Sequence, residues 1–210
     1  KDYAHFFIHN GPSPLLGIES GLIVMTKSYV TGYKFTPFDT NTPSVIRGFA
    51  TLTIPASNAG RPVFAVIGTH MEAGYTPEDI EKRKKQLVQI HAHAKSLHSV
   101  TTVILAGDLN MDAAKQEERD ALDPVLDSIY APQSNGLETF TNELNKIRYP
   151  DDKNPPKEWD DQISVIRRSR APERALTEFK VIPAYQRGLD GKIDSRTALS
   201  DHNALIATFK

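Results

Sequence analysis

Cysteine is absent from the 210 residues. No disulfide and no thiolate metal site can therefore be built, which fits a cytoplasmic protein and a bacterial secreted one equally. No apolar run reaches the roughly 18 residues that a membrane-spanning helix needs, so no transmembrane segment is expected. Excess charge is almost missing too: the net value is −1. That removes any bulk electrostatic case for binding nucleic acid or an anionic membrane, while a local basic patch stays open. There is no Gly-x-Ser-x-Gly elbow, no Gly-rich phosphate loop and no His-Glu-x-x-His. Serine-hydrolase, P-loop and zincin chemistry fall behind accordingly. The chain begins Lys1-Asp2-Tyr3, without Met and without a signal-like apolar stretch, as a trimmed chain that has lost a targeting segment would. No internal repeat and no linker divides it. With 39% hydrophobic and 24% charged residues, one globular domain over 1–210 is expected.

The pattern along the chain alternates strands with a few helices. Residues 1–20 read as loop, with a short strand at Ala4–Ile8. Leu22–Met25 reads as a buried strand. Residues 28–44, holding Tyr33, Phe35 and Phe38, read as a long connection or an edge hairpin. Ile46–Ile54 and Val63–Gly68 flank a turn at Ala59–Pro62 and predict a hairpin. Thr76 followed by Pro77, Glu78 and Asp79 is a helix start, and the spacing predicts a helix to Leu97. Within it Arg83, Lys84 and Lys85 read as a solvated face. His91 and His93 do not share a face, which argues against a metal site there. Val103–Gly107 reads as a strand, Ala113–Tyr130 as helical but broken near Asp123-Pro124, and 131–158 as a long polar loop. Strands are expected again at 159–166, Phe179–Ala184 and Ala204–Phe209.

Chemistry collects where apolar strands end. Val63–Gly68 delivers Thr69 and His70. Val103–Gly107 delivers Asp108, then Asn110, which an extended chain would point the same way. Asp160 and Asp161 enter the strand at 159–166, and Asp201 and His202 precede the last strand. An Asp or Asn at such a place also suits an ordinary strand end and helix cap. Several such ends in one chain suit phosphoester hydrolysis better. Oxygen donors can hold a hard divalent cation that screens and polarises a phosphate. A His oriented by a carboxylate can take a proton from water, and a second His or an Asn can donate to the phosphoryl oxygen.

Gly68-Thr69-His70, Gly107-Asp108-Leu109-Asn110, Asp161-Gln162-Ile163 and Ser200-Asp201-His202, in this order, resemble the endonuclease/exonuclease/phosphatase superfamily over about residues 20–210. Within it the resemblance is closest to bacterial sphingomyelinase C-type phosphodiesterases. It implies an α/β fold in which a sandwich of two β-sheets is flanked by helices, the deoxyribonuclease-like four-layer arrangement. His202 would be the general base, oriented by Asp161, and His70 would contact the phosphate and favour the leaving group. Asp108 and Asn110 would hold the nucleophile or a second metal, and Asn110 would also touch the phosphate. Asp108, Asn110, Asp201 and His202 form the implied metal set, with Mg²⁺ expected and Mn²⁺ as the substitute. The substrate would be a phosphodiester such as a phospholipid headgroup, a nucleic acid or an inositol phosphate.

One departure stands out. The family places an Asn and a metal-binding Glu on strands before the segment resembling Ser20–Met25, and this chain has no matching strand. The expectation is that it corresponds to the C-terminal two-thirds of the family domain, with a second chain or a longer protein supplying the rest. Three readings follow: a sphingomyelinase-like phosphodiesterase, a nuclease or inositol-phosphate phosphatase of the same superfamily, or a non-catalytic binding module that keeps the fold.

Overall fold

The computed structural model describes residues 5–8, 22–27, 29–41, 46–55, 64–127, 160–166, 176–182 and 204–209. Strands β1 (His5–Ile8) and β2 (Ile23–Thr26) form an antiparallel pair. The central sheet has the order β3 (Gly32–Pro37), β4 (Gly48–Ile54), β5 (Phe64–His70), β6 (Thr102–Asp108), β7 (Asp161–Val165). Only β5 and β6 run parallel. Their connection contains α1 (Pro77–Ser96), the helical crossover that a parallel pair requires. A shorter α2 (Gln116–Leu122) follows β6. β8 (Leu176–Ile182) and β9 (Ala204–Phe209) pair antiparallel, and β9 lies beside β7.

Alternation sorts the central sheet into two faces. Along β5, Ala65, Ile67 and Thr69 are buried while Val66, Gly68 and His70 are half-buried. The first set joins Phe49, Val103 and Leu105 against Leu87, Ile90 and Ala94 of α1 in one core. The second set faces β2 across a cavity of about 360 Å³ lined by Leu22, Val24, Val66, Gly68, Ala106 and Ile163 among others. Helix, five-stranded mixed sheet and a further β layer thus stack as an α/β sandwich. The expected hairpin is present as β4–β5.

Of the two readings of 28–44 the edge hairpin holds, since residues 32–37 form a strand paired antiparallel to β4 at the sheet edge. Other local expectations change. The helical stretch after Ala113 shrinks to Gln116–Leu122. Leu126 then bridges to Ile166, since Pro124 cannot continue the helix ladder. Helix α1 begins with a capping box between Thr76 and Asp79, as its sequence predicts. His93 packs on Phe49 with ring centroids 5.0 Å apart, and its Nε2 lies 3.0 Å from Thr51 Oγ1. Burial pushes its pKa down, so it is a core histidine.

Arg83 corrects the reading of a solvated 83–85 face, because it is 2% exposed. It lies one helical turn from Leu87, on the apolar stripe, and its Nη1 donates to the Gly74 carbonyl at 2.6 Å. Its Nη2 stands 3.7 Å from Glu118 Oε2 on α2. Burial raises the Glu118 pKa, and Arg83 and Lys115 pull it back. Arg83→Ala should destabilise by about 3 kcal/mol, because it strands a buried carboxylate. Glu118 would then hold its proton to higher pH in the folded state than in the unfolded. Stability would accordingly fall as pH rises through that window, making the deficit larger at neutral pH than in mild acid. Urea midpoints at two pH values read this, and a surface-like loss well below 1 kcal/mol would contradict it.

Candidate active site

Three neighbouring strands bring one residue each to the same rim. In the β5–β6 register His70 is the partner of Asp108, and in the β6–β7 register Asp108 is the partner of Asp161. All three belong to the face that looks away from α1. The direction of β7 explains the last member. It runs antiparallel to β6, so its first residue meets the end of β6. Alternation also chooses between the two carboxylates that precede it. Asp161 is half-buried at the rim, whereas Asp160 is 4% exposed and its carbonyl accepts from Leu109 N at 2.8 Å.

His70 Nε2 lies 3.6 Å from Asp108 Oδ2, with the imidazole 43% and the carboxylate 16% exposed. The ring is therefore open to a ligand on one side and edged by a carboxylate on the other. Asp108 Oδ1 accepts from Asn110 N at 2.8 Å, the local turn that a short acidic side chain favours. Asn110 lies beyond the end of β6 with φ 49°, so the expected alternation along an extended chain does not operate there. Its nearness to Asp108 comes from that turn, and Asn is among the residues that tolerate this backbone region. Asn110 Nδ2 donates to the Met71 carbonyl at 3.2 Å, and Met71 N donates to the Asp108 carbonyl at 2.9 Å. The segments after His70 and after Asp108 are thus tied together twice.

Four of the six expected site residues, His70, Asp108, Asn110 and Asp161, come together in this way. Asp201 and His202 lie outside the described residues. Asp108, Asn110 and Asp161 offer the hard oxygen donors that Mg²⁺ takes, and that ion is usually held by one or two carboxylates with water filling its other positions. No cluster of three or more His, Asp or Glu stands around one point among the described residues. The match is therefore one of donor type only, since the described residues by themselves assemble no metal site.

Sequence reading missed the support beneath the rim. Arg47 Nη1 donates to the Met71 carbonyl at 2.5 Å, and Arg47 Nε stands 3.8 Å from Glu72 Oε2. Gln86 Oε1 accepts from Glu72 N at 2.9 Å, and its Nε2 donates to Thr40 Oγ1 at 2.9 Å. Arg83 and Gln86 carried a usable signal, since both sit beside Leu87 and Ile90 at helical spacing on the buried stripe. Arg47 carried none, as an Arg at a strand entry is ordinary.

No family model and no curated protein sequence matches the chain. Solved structures do match in fold. Beta toxin from Staphylococcus aureus is 21% identical, with 100% of this chain and 79% of that one covered and a TM-score of 0.75. Sphingomyelinase C from Streptomyces griseocarneus is 22% identical, covering 90% and 67%, with a TM-score of 0.63. TDP2 from D. rerio, complexed with single strand DNA product, is 19% identical, covering 86% and 68%, with a TM-score of 0.62. A mutant of the beta toxin has bound magnesium ions. These alignments give no support to a second chain. No helix among the described residues is long and apolar enough to cross a membrane.

Proposed function

We propose that this chain, which has the endonuclease/exonuclease/phosphatase fold, is a metal-dependent phosphodiesterase that hydrolyses a phosphoester by in-line attack of an activated water. The observation that carries the reading is the side-by-side register of His70, Asp108 and Asp161 at one rim. A histidine and two carboxylates on adjacent strands at one sheet end, with His70 and Asp108 3.6 Å apart, are an unusual choice for a merely structural rim, since like charges on neighbouring strands repel. They are useful neighbours where a phosphate is bound and cleaved.

Asp108 and Asn110, with Asp201, are the residues proposed to hold Mg²⁺ or Mn²⁺, while His202, implied near the ion, keeps its ring nitrogen free to act as the base. When bound, such an ion neutralises and polarises the phosphoryl oxygens. His202 takes the proton from the attacking water, with Asp161 orienting its ring. His70, open to solvent and edged by Asp108, donates toward the phosphate and the leaving oxygen. Asn110 fixes the phosphate's orientation through its amide. The sphingomyelinase-like version, with a phospholipid headgroup as substrate, is favoured by the bacterial toxin and sphingomyelinase structures among the fold neighbours. The near-neutral net charge also weighs against a non-specific nuclease, which wants a basic groove.

The test is hydrolysis of bis(p-nitrophenyl) phosphate by the purified chain. Sphingomyelin vesicles, single-stranded DNA and an inositol phosphate are assayed in parallel. Turnover with Mg²⁺ or Mn²⁺ is expected, with loss of all measurable rate in excess EDTA and recovery on adding the ion back. The pattern among the three natural substrate classes assigns the activity. A folded chain that hydrolyses none of them in either metal would sink the catalytic reading and leave the binding module.

A further inference from the structure

We infer that Arg47 is a positioning residue of this site, locking the Met71 carbonyl on which the Asn110 side chain is aligned. Its kinetic consequence rests on the phosphodiesterase reading; its spectroscopic consequence does not.

Arg47 belongs to none of the strands that supply the rim. It stands just before β4, and its backbone is fastened on both sides. Arg47 N donates to Asn41 Oδ1 at 2.9 Å, Asn41 Nδ2 donates to the Arg47 carbonyl at 2.8 Å, and Phe38 N donates to the same carbonyl at 2.9 Å. From that fixed base the largely buried side chain reaches the Met71 carbonyl. Its Nε is buried with no hydrogen-bond partner among the described residues, and faces Glu72 Oε2 only at 3.8 Å. A guanidinium kept inside with one donor unfilled costs free energy, so packing alone is a poor reason for an Arg here.

What Arg47 holds is the peptide between Met71 and Glu72, one residue beyond His70. Met71 N is fixed by the Asp108 carbonyl. The Met71 carbonyl accepts from Arg47 Nη1 and from Asn110 Nδ2, which uses both lone pairs of one oxygen. The Arg47 bond is charge-assisted and the shorter of the two, hence the stronger. Without it the carbonyl would be held only by a neutral amide at 3.2 Å. It could then turn, taking with it the Asn110 amide and the exit from His70. A misplacement of about 1 Å at a reacting centre can cost about 10²-fold in rate.

Arg47→Ala and Arg47→Lys test this on bis(p-nitrophenyl) phosphate. In Arg47→Ala, kcat should fall about tenfold or more while KM stays within about twofold. Circular dichroism and Tm should show a folded protein. Arg47→Lys should recover most of the loss, since an ammonium still donates to the carbonyl. A merely structural role would lower Tm and leave kcat per folded molecule unchanged, and that result overturns the assignment. So does a loss confined to KM. Where Arg47→Ala fails to fold, Arg47→Gln and Arg47→Lys carry the same comparison. If the parent shows no turnover, the functional reading fails, and the side-chain NH₂ signal of Asn110 in ¹H–¹⁵N spectra decides the positioning. That signal is assigned by its loss in Asn110→Asp. It should move in the Arg47 variants more than those of other Asn side chains, and an unmoved signal refutes the role.

Discussion

His70→Ala should lower phosphodiester turnover by about 10²- to 10⁴-fold, the usual contribution of a positioned proton donor. The protein should stay folded, because a ring that is 43% exposed leaves no sealed cavity when removed. The leaving group sharpens the test. If His70 donates to the departing oxygen, the loss should be large for an alkoxide and much smaller for p-nitrophenolate, which leaves without help. His70→Gln should recover little with the alkoxide, because an amide can hydrogen-bond but cannot transfer the proton. A folded His70→Ala variant within about threefold of the parent on both substrates would remove His70 from the mechanism. Equal losses on both would keep it in the site as a phosphate contact and take away the donor role.

Gly107→Ala is expected to be severely damaging, the tightest methyl addition among the described glycines. Gly107 has φ 147°, and an added Cβ would stand 2.0 Å from the Thr69 carbonyl oxygen. Neither partner can move aside, because β5 lies between β4 and β6 and β6 lies between β5 and β7. Backbone strain of about 1–3 kcal/mol adds to overpacking of about 1–3 kcal/mol. The sum spans about 2–6 kcal/mol, and its upper half is a loss few single substitutions reach. Gly68→Ala is the control on the same sheet. Its Cβ would meet only Val24 Cγ2 at 3.7 Å, an ordinary contact. Urea denaturation should show the first variant severely destabilised or unfolded and the second close to the parent. A Gly107→Ala loss under about 1 kcal/mol would mean that the close approach of β5 and β6 at this point is wrong. The same methyl would sit one residue from Asp108, so any surviving fold should also be catalytically poor.

Much of this architecture is legible in the residues themselves. Apolar strands ending in Gly, the Thr76–Asp79 cap and the helical spacing through Leu87, Ile90 and Ala94 are local properties. Local propensity and period govern them directly. The same holds for the identity of His70, Asp108, Asn110 and Asp161 as polar residues placed where apolar runs stop. Their company was another matter. Whether 160 or 161 reaches the rim depends on β7 running antiparallel to β6 in one register, and a slip of one residue would exchange them. The nearness of Asn110 to Asp108 comes from a left-handed turn, not from strand alternation.

Most elements, and the residues that bring chemistry to their ends, can be read locally, because those properties arise within a few residues of each other. What stands beneath the site follows from long-range packing. Arg47 looks like an ordinary polar residue in the chain, and the helical stripe marks Arg83 and Gln86 as buried without naming their partners; the fold makes each satisfy a backbone group of the segment after His70. That pairing joins residues 9 to 24 positions apart. Nothing in a local pattern records it, since the free energy that fixes such partners comes from removing both groups from water together.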